Sequence, residues 1–90
     1  MGIKINIPEF LQPIANEVVV AEVNGSTVGD CLGDLIKRFP LLETKLFRKN
    51  GVLYDYIDIF INGESAYPDE MAKQVAEGDK LYIIYIIPGG

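Results

Sequence analysis

Ser26-Thr27-Val28-Gly29-Asp30-Cys31-Leu32-Gly33-Asp34-Leu35-Ile36-Lys37-Arg38-Phe39-Pro40 is a helical stretch in a chain otherwise patterned for strands. Val28, Cys31, Leu32, Leu35, Ile36 and Phe39 fall at i, i+3, i+4, i+7, i+8 and i+11, one apolar stripe of an α-helix. Thr27 stands just before the stripe and Asp30 three residues later, the spacing of a capping box with Asp in place of Glu. Pro40 ends the helix, because the residue before a proline is pushed out of helical geometry. Gly29 and Gly33 lie inside it, each costing roughly 1 kcal/mol against Ala. Their spacing of four either marks a flank that another backbone approaches closely or is merely tolerated.

Outward from the helix the period is two. Ile3, Ile5 and Ile7 alternate with Lys4 and Asn6, a half-buried strand stopped by Pro8. Phe10 to Asn16 reads as a loop containing Pro13, and Val18 to Val23 as a second strand closed by Asn24-Gly25. The two form an antiparallel hairpin with a long connection. After the helix, residues 41–50 read as a loop or a short helical turn, and Asn50-Gly51 as a turn. Ile57, Ile59 and Ile61 alternate with Asp58, Phe60 and Asn62 in a third strand. Asn62-Gly63 turns the chain into a short returning strand, Glu64-Ser65-Ala66. Residues 68–76 read as a loop with a helical turn. After Gly78-Asp79 comes a last strand, Leu81 to Ile87, which Pro88-Gly89-Gly90 leaves.

The order is strand, strand, helix, strand, short strand, strand. An amphipathic helix after a hairpin covers one face of the sheet. The near-continuous apolar run of the last strand suits a central place, parallel to the first. The fold class expected is therefore α+β, the β-grasp arrangement of ubiquitin: a mixed four- to five-stranded sheet with one main helix on one face. No repeat or linker interrupts the chain, so residues 1–90 are expected to be one domain, with 86–90 an extended C-terminal tail.

Composition narrows the function. With 49% hydrophobic and 23% charged residues the chain is not expected to be disordered. No apolar run approaches the ~20 residues that cross a bilayer, and the N-terminus lacks a signal peptide's basic region and apolar core. Met1-Gly2 hints at myristoylation, but Asn6 stands where Ser or Thr is required. No membrane partner is expected. Eight Lys and Arg against thirteen Asp and Glu give a net charge of −5, which argues against nucleic acid and for a protein partner with a basic patch. Cys31 is the only cysteine, so an internal disulfide and a four-cysteine metal site are excluded, and a reducing cytoplasm fits. Cys31 itself, on the buried stripe, reads as a small hydrophobe. There is no histidine, which removes the commonest general base and metal ligand. A Ser-His-Asp or Cys-His hydrolase cannot be built from this chain alone. Neither enzyme chemistry nor a bound metal or cofactor is expected.

Four segments in order then resemble one family. Ser26-Thr27-Val28-Gly29-Asp30-Cys31-Leu32 is similar to the Thr-Val-x-Asp-Leu-Leu helix start of the ThiS/MoaD sulfur carriers. Ile57-Asp58-Ile59-Phe60-Ile61-Asn62-Gly63-Glu64 resembles their Val-x-Val-Phe-Val-Asn-Gly-Glu strand and turn. Ala76-Glu77-Gly78-Asp79-Lys80-Leu81 resembles the turn before their last strand, and Gly89-Gly90 their ending. Ile7-Pro8, Leu11-Gln12-Pro13 and the long 41–56 segment resemble the longer members, the CysO type of cysteine synthesis and the MoaD type, the small subunit of molybdopterin synthase. Ile87-Pro88-Gly89-Gly90 departs from the usual Val-Ala-Gly-Gly, with a stiffer residue at Pro88.

The resemblance implies that the Gly90 carboxylate is the working group. An E1-like enzyme using ATP adenylates it, a sulfur donor converts it to a thiocarboxylate, and a client takes the sulfur. That client is a molybdopterin synthase large subunit or a cysteine-synthase-like enzyme. Gly89 and Pro88 thread the partner's active site, where glycine, lacking Cβ, lets the main chain pass a narrow channel. A ubiquitin-like modifier joined to lysines through Gly90, and a passive interaction domain whose Gly-Gly end is incidental, are the alternatives.

One further expectation concerns recognition. If Leu81, Ile83, Ile57, Ile59, Ile61, Val19, Ala21 and Val23 face the helix, then Val18, Val20, Phe60, Tyr82 and Ile84 face away. An apolar patch on that side is read as a partner docking surface, unless residues 41–56 or a second copy cover it.

Overall fold

The computed structural model describes residues 2–86. Strand β1 (Ile3–Asn6) pairs antiparallel with β2 (Val20–Val23), through Ile5 opposite Ala21 and Ile3 opposite Val23. Helix α1 (Val28–Arg38) follows, then a short α2 (Leu42–Leu46), β3 (Ile57–Ile61), β4 (Glu64–Ser65) and β5 (Lys80–Tyr85). The sheet order is β2-β1-β5-β3-β4, with β5 parallel to β1 and antiparallel to β3. This is the β-grasp arrangement, with five strands and the last one in the middle.

The helix forms where its stripe and caps demand. Thr27 Oγ1 accepts from the Asp30 N–H (3.1 Å), and the Asp30 carboxylate accepts from Ser26 N–H (3.1 Å). The shorter Asp thus reaches the residue before the cap, where Glu would reach the cap itself. Phe39, before Pro40, closes the helix with its N–H on the Leu35 carbonyl (2.9 Å). Val28, Cys31, Leu32 and Leu35 are buried against Ile3, Ile5, Ala21, Val23, Ile59, Leu81 and Ile83 of the sheet. Each such side chain contributes about 1.5–3 kcal/mol over an exposed one. Leu42, Leu46, Phe47 and Leu53 add a second group to the same core. The 41–56 segment is therefore bound to the core by its own side chains.

The two helix glycines separate. A Cβ at Gly29 would stand 3.1 Å from the Met71 carbonyl oxygen, because residues 73–75 are lashed to the helix start through Val28 N–H to Lys73 O (2.9 Å) and Val75 N–H to Ser26 O (3.0 Å). A Cβ at Gly33 would meet nothing within 4 Å. Close approach explains the first and tolerance the second. Asn62 and Gly63 both take positive φ, 51° and 90°, as a tight hairpin turn requires.

Four expectations need correction. Residues 9–15 form a 3-10 helix, not a loop, with Leu11 and Ala15 buried and Pro13 accommodated inside. The second strand begins at Val20, not Val18. Asn16 and Glu17 are both left-handed (φ 53° and 62°), and the bend that follows resets the alternation. Val19, expected to face the helix, is therefore 52% exposed, while Val18, expected to face away, packs against the core. The last strand ends at Tyr85, with Ile86 outside it. Ile87 lies outside the described residues.

Candidate functional site

The expected reactive group, Gly90, and the threading residues Gly89 and Pro88 lie outside the described residues. What the structure does define is the root from which they depart. The Ile86 N–H donates to the Tyr56 carbonyl (2.7 Å), one residue past the end of β5. Around this hook the aromatic side chains close up. The Tyr85 ring meets Phe10 edge-on at 4.3 Å between centroids and Tyr56 at 5.1 Å, and Tyr56 stacks on Tyr54 at 5.0 Å. The Arg48 guanidinium lies 5.5 Å above the Tyr54 ring and pairs with Asp55 at 3.0 Å. Stacked and edge-on contacts of this kind contribute about 0.5–1.5 kcal/mol each beyond their area. No motif in the sequence marks these aromatic residues as neighbours. Their convergence depends on Phe10, 75 positions before Tyr85, and nothing local announces it.

Beside Ile86 opens a groove of about 580 Å³, walled by Tyr54, Asp55, Tyr67, Glu70 and Met71. Asp58, which alternation placed at the surface, is only 4% exposed. The Asp58 carboxylate accepts from the Ile59 N–H (2.7 Å) and the Ser65 hydroxyl (2.5 Å), so it caps the free edge of β3 below β4. Glu70 is its neighbour. Burial raises the Glu70 carboxyl above its usual range, and the nearby Asp58 and Asp69 carboxylates add to the rise. Cys31 is buried in the core, and burial, then Asp30 and Asp34, push its thiol up to about 11. Such a thiol is protonated at neutral pH and a poor nucleophile. Among the described residues, no group of three His, Cys, Asp or Glu side chains could hold a metal ion, and no helix is long and apolar enough to cross a membrane.

The second region is the sheet face away from α1. Val20 pairs with Asn6, Asn6 with Tyr82, and Tyr82 with Phe60, so these four form one row across β2, β1, β5 and β3. Ile84 lies on the same face by register, opposite Asp58. Val20 is 49% and Tyr82 37% exposed, while Phe60 and Ile84 are half-buried. Of the five expected surface residues the structure brings four to this face and removes Val18.

No family model matches the chain. Over 83 residues, however, it is 37% identical to Small archaeal modifier protein 1 of Haloferax volcanii, spanning 91% of this chain and 92% of that protein. The chain belongs to the ThiS/MoaD family of ubiquitin-like β-grasp proteins. The crystal structure of that family member from Haloferax volcanii superposes with a TM-score of 0.78 at 33% identity, covering 98% of both chains. A chain in the crystal structure of the Amycolatopsis orientalis BexX/CysO complex superposes at 0.88, covering 99% of this chain and 100% of that one. At 23% identity the latter likeness speaks to the fold alone. These relatives are small ubiquitin-like carrier or modifier proteins, and the family resemblance drawn from the four sequence segments is the one the homology shows.

Proposed function

We propose that this protein is a sulfur carrier whose Gly90 carboxylate is activated by a partner enzyme, used, and regenerated. The observation that carries the reading is the 37% identity to Small archaeal modifier protein 1 over nearly the whole chain, joined to a central strand that Gly89-Gly90 follow in sequence. A carboxylate is a poor electrophile. Its oxygen attacks the α-phosphorus of ATP and displaces pyrophosphate, giving an acyl adenylate. A sulfur nucleophile then displaces AMP and leaves a thiocarboxylate at Gly90. A client enzyme, of the molybdopterin-synthase or cysteine-synthase-like type, takes the sulfur, and hydrolysis restores the carboxylate. The chain supplies no catalytic side chain to these steps. The adenylating enzyme docks on the row Val20, Tyr82, Phe60 with Ile84, and Pro88-Gly89 enters its active site. The cytoplasm, where ATP and a reducing environment coincide, is the place for this chemistry.

A second reading shares the first step. If a lysine ε-amine displaces AMP, Gly90 becomes joined to a target through an isopeptide bond. The name of the Haloferax volcanii relative favours keeping this reading. Intact mass spectrometry after incubation with ATP, the adenylating enzyme and a sulfur donor separates the two. Sulfur carriage gives a species heavier by the sulfur-for-oxygen difference, localised to Gly90. Modification leaves the ten-residue remnant 81–90 on target lysines after trypsin digestion, because Lys80 is the last basic residue. Neither product with wild-type protein, or either product from a chain lacking Gly90, would sink the proposal. Replacing Phe60 with Glu is expected to abolish adenylation while the melting temperature stays within a few degrees.

A further inference from the structure

The row next to Val20–Asn6–Tyr82–Phe60 is charged in a way the fold itself does not need. Lys4 and Lys80 are direct partners in the parallel β1–β5 register, two residues before Asn6 and Tyr82 on the same face. Neighbouring strands lie about 4.8 Å apart, so the two stems start side by side, and like charges placed so are destabilising. Among the described residues neither lysine makes an ion pair. Glu22, opposite Lys4 on β2, turns its carboxylate to the Gly2 N–H (3.1 Å). Asp79, next to Lys80, is held by the Asn62 amide (3.0 Å) and the Ala76 N–H (2.8 Å). Among the described residues the only ion pair is Arg48–Asp55, at the tail root. Both lysines are exposed, and together with Asn6, Val20, Glu22, Leu81 and Tyr82 they line one open groove of about 490 Å³.

We infer that Lys4 and Lys80 receive an acidic side chain of the docking partner, seated beside apolar groups that cover Val20 and Tyr82. The inference rests on the proposed docking of the adenylating enzyme to this face and adds its charge chemistry. Two cations on a chain of net charge −5 are not steering devices, because the long-range field of the molecule has the opposite sign. They act at contact. A partner whose surface is basic around an acidic spot meets the acidic chain at a distance and this groove in one orientation only. Charge arranged in this way fixes register more than it adds affinity. A partner protein suits the groove better than a free phosphate, because apolar Val20 and Tyr82 line it beside the lysines.

The test is the dissociation constant for the adenylating enzyme of the same organism, measured by calorimetry at two salt concentrations. The chains compared are wild type, the double variant Lys4→Gln/Lys80→Gln, its charge-reversed counterpart Lys4→Glu/Lys80→Glu, and Phe60→Glu. We expect the neutral double variant to bind about tenfold more weakly, about 1.4 kcal/mol, at the lower salt concentration, with a smaller loss at the higher. The reversed variant is expected to bind more weakly still. The neutral variant should melt no lower than wild type, since a like-charge contact has been removed, whereas the reversed variant keeps a like-charge pair opposite Glu22 and should melt lower. If the lysine variants bind as wild type while Phe60→Glu does not bind, the lysine inference is overturned and the docking face stands. If Phe60→Glu binds as wild type, docking on this face is wrong and the inference falls with it.

Discussion

At the scale of single residues, Glu70 shows how burial changes the chemistry of a surface-type side chain. Its carboxyl is raised above the ordinary 4.5 by burial first, then by Asp58 and Asp69. A carboxyl whose folded pKa exceeds its unfolded one binds more protons in the native state. Its contribution is therefore most favourable at acid pH and is lost as pH rises through and above 4.5. Glu70→Gln removes that titration. The variant is expected to melt higher than wild type at pH 7 and no higher at pH 4, and thermal melts across that range check it. Asp79, lowered by its bonds to Asn62 and Ala76, titrates in the opposite sense but identically in both chains, so it cancels in the difference. The glycines make a second pair. Gly33→Ala, with open space for its Cβ, should stabilise by about 1 kcal/mol, whereas Gly29→Ala must push aside the Met71 carbonyl and should destabilise. Denaturant midpoints will show the opposite signs. The presence of both glycines was plain in the sequence, but the difference between them was not. It depends on a segment forty residues downstream. Asp58 eluded sequence reading for a related reason, since alternation distinguishes the two faces of a strand and is silent about its edge.

At the scale of elements, legibility follows how local the cause is. Helix α1 was readable from end to end because stripe, cap and terminating proline all lie within Thr27–Pro40. Replacing Thr27 with Ala removes the acceptor for the Asp30 N–H and should cost about 1 kcal/mol, measurable by chemical denaturation, with the helix itself retained by its buried stripe. Strand β3 and the Asn62-Gly63 turn were equally local. Strand β2 was not. Val18-Val19-Val20 carries no parity of its own, and two left-handed residues upstream decide which valine faces where. The 3-10 helix at 9–15 was hidden by Pro13, which reads as a loop residue unless Leu11 and Ala15 are known to be buried. As for the candidate site, the apolar row was legible as an excess of large side chains on the side of the sheet that solvent should own. The lysine pair and the aromatic cluster were not, since each joins residues that only the register or the chain's return brings together.

At the scale of the whole molecule, the order β2-β1-β5-β3-β4 places the last strand between two partners. Amide exchange should be slowest in β1 and β5 and should remain slow at Ile86, whose N–H is held by Tyr56 although it lies beyond the strand. Fast exchange at Ile86 alongside slow exchange at Ile83 would show that the hook does not form in solution. The remaining molecule is divided by position: the core on the helix side, an apolar row with exposed Val20 and Tyr82 on the other, and aromatic packing around Tyr85 and Ile86.

That exit from the middle of the sheet has a mechanical meaning. A partner that draws on the chain beyond Ile86 pulls along the axis of β5, so its hydrogen bonds to β1 on one side and β3 on the other are loaded in shear and must yield together. A tail leaving from an edge strand would instead be peeled, one bond at a time. A domain with its last strand in the middle of the sheet can thus bear a pull at that end without being unzipped.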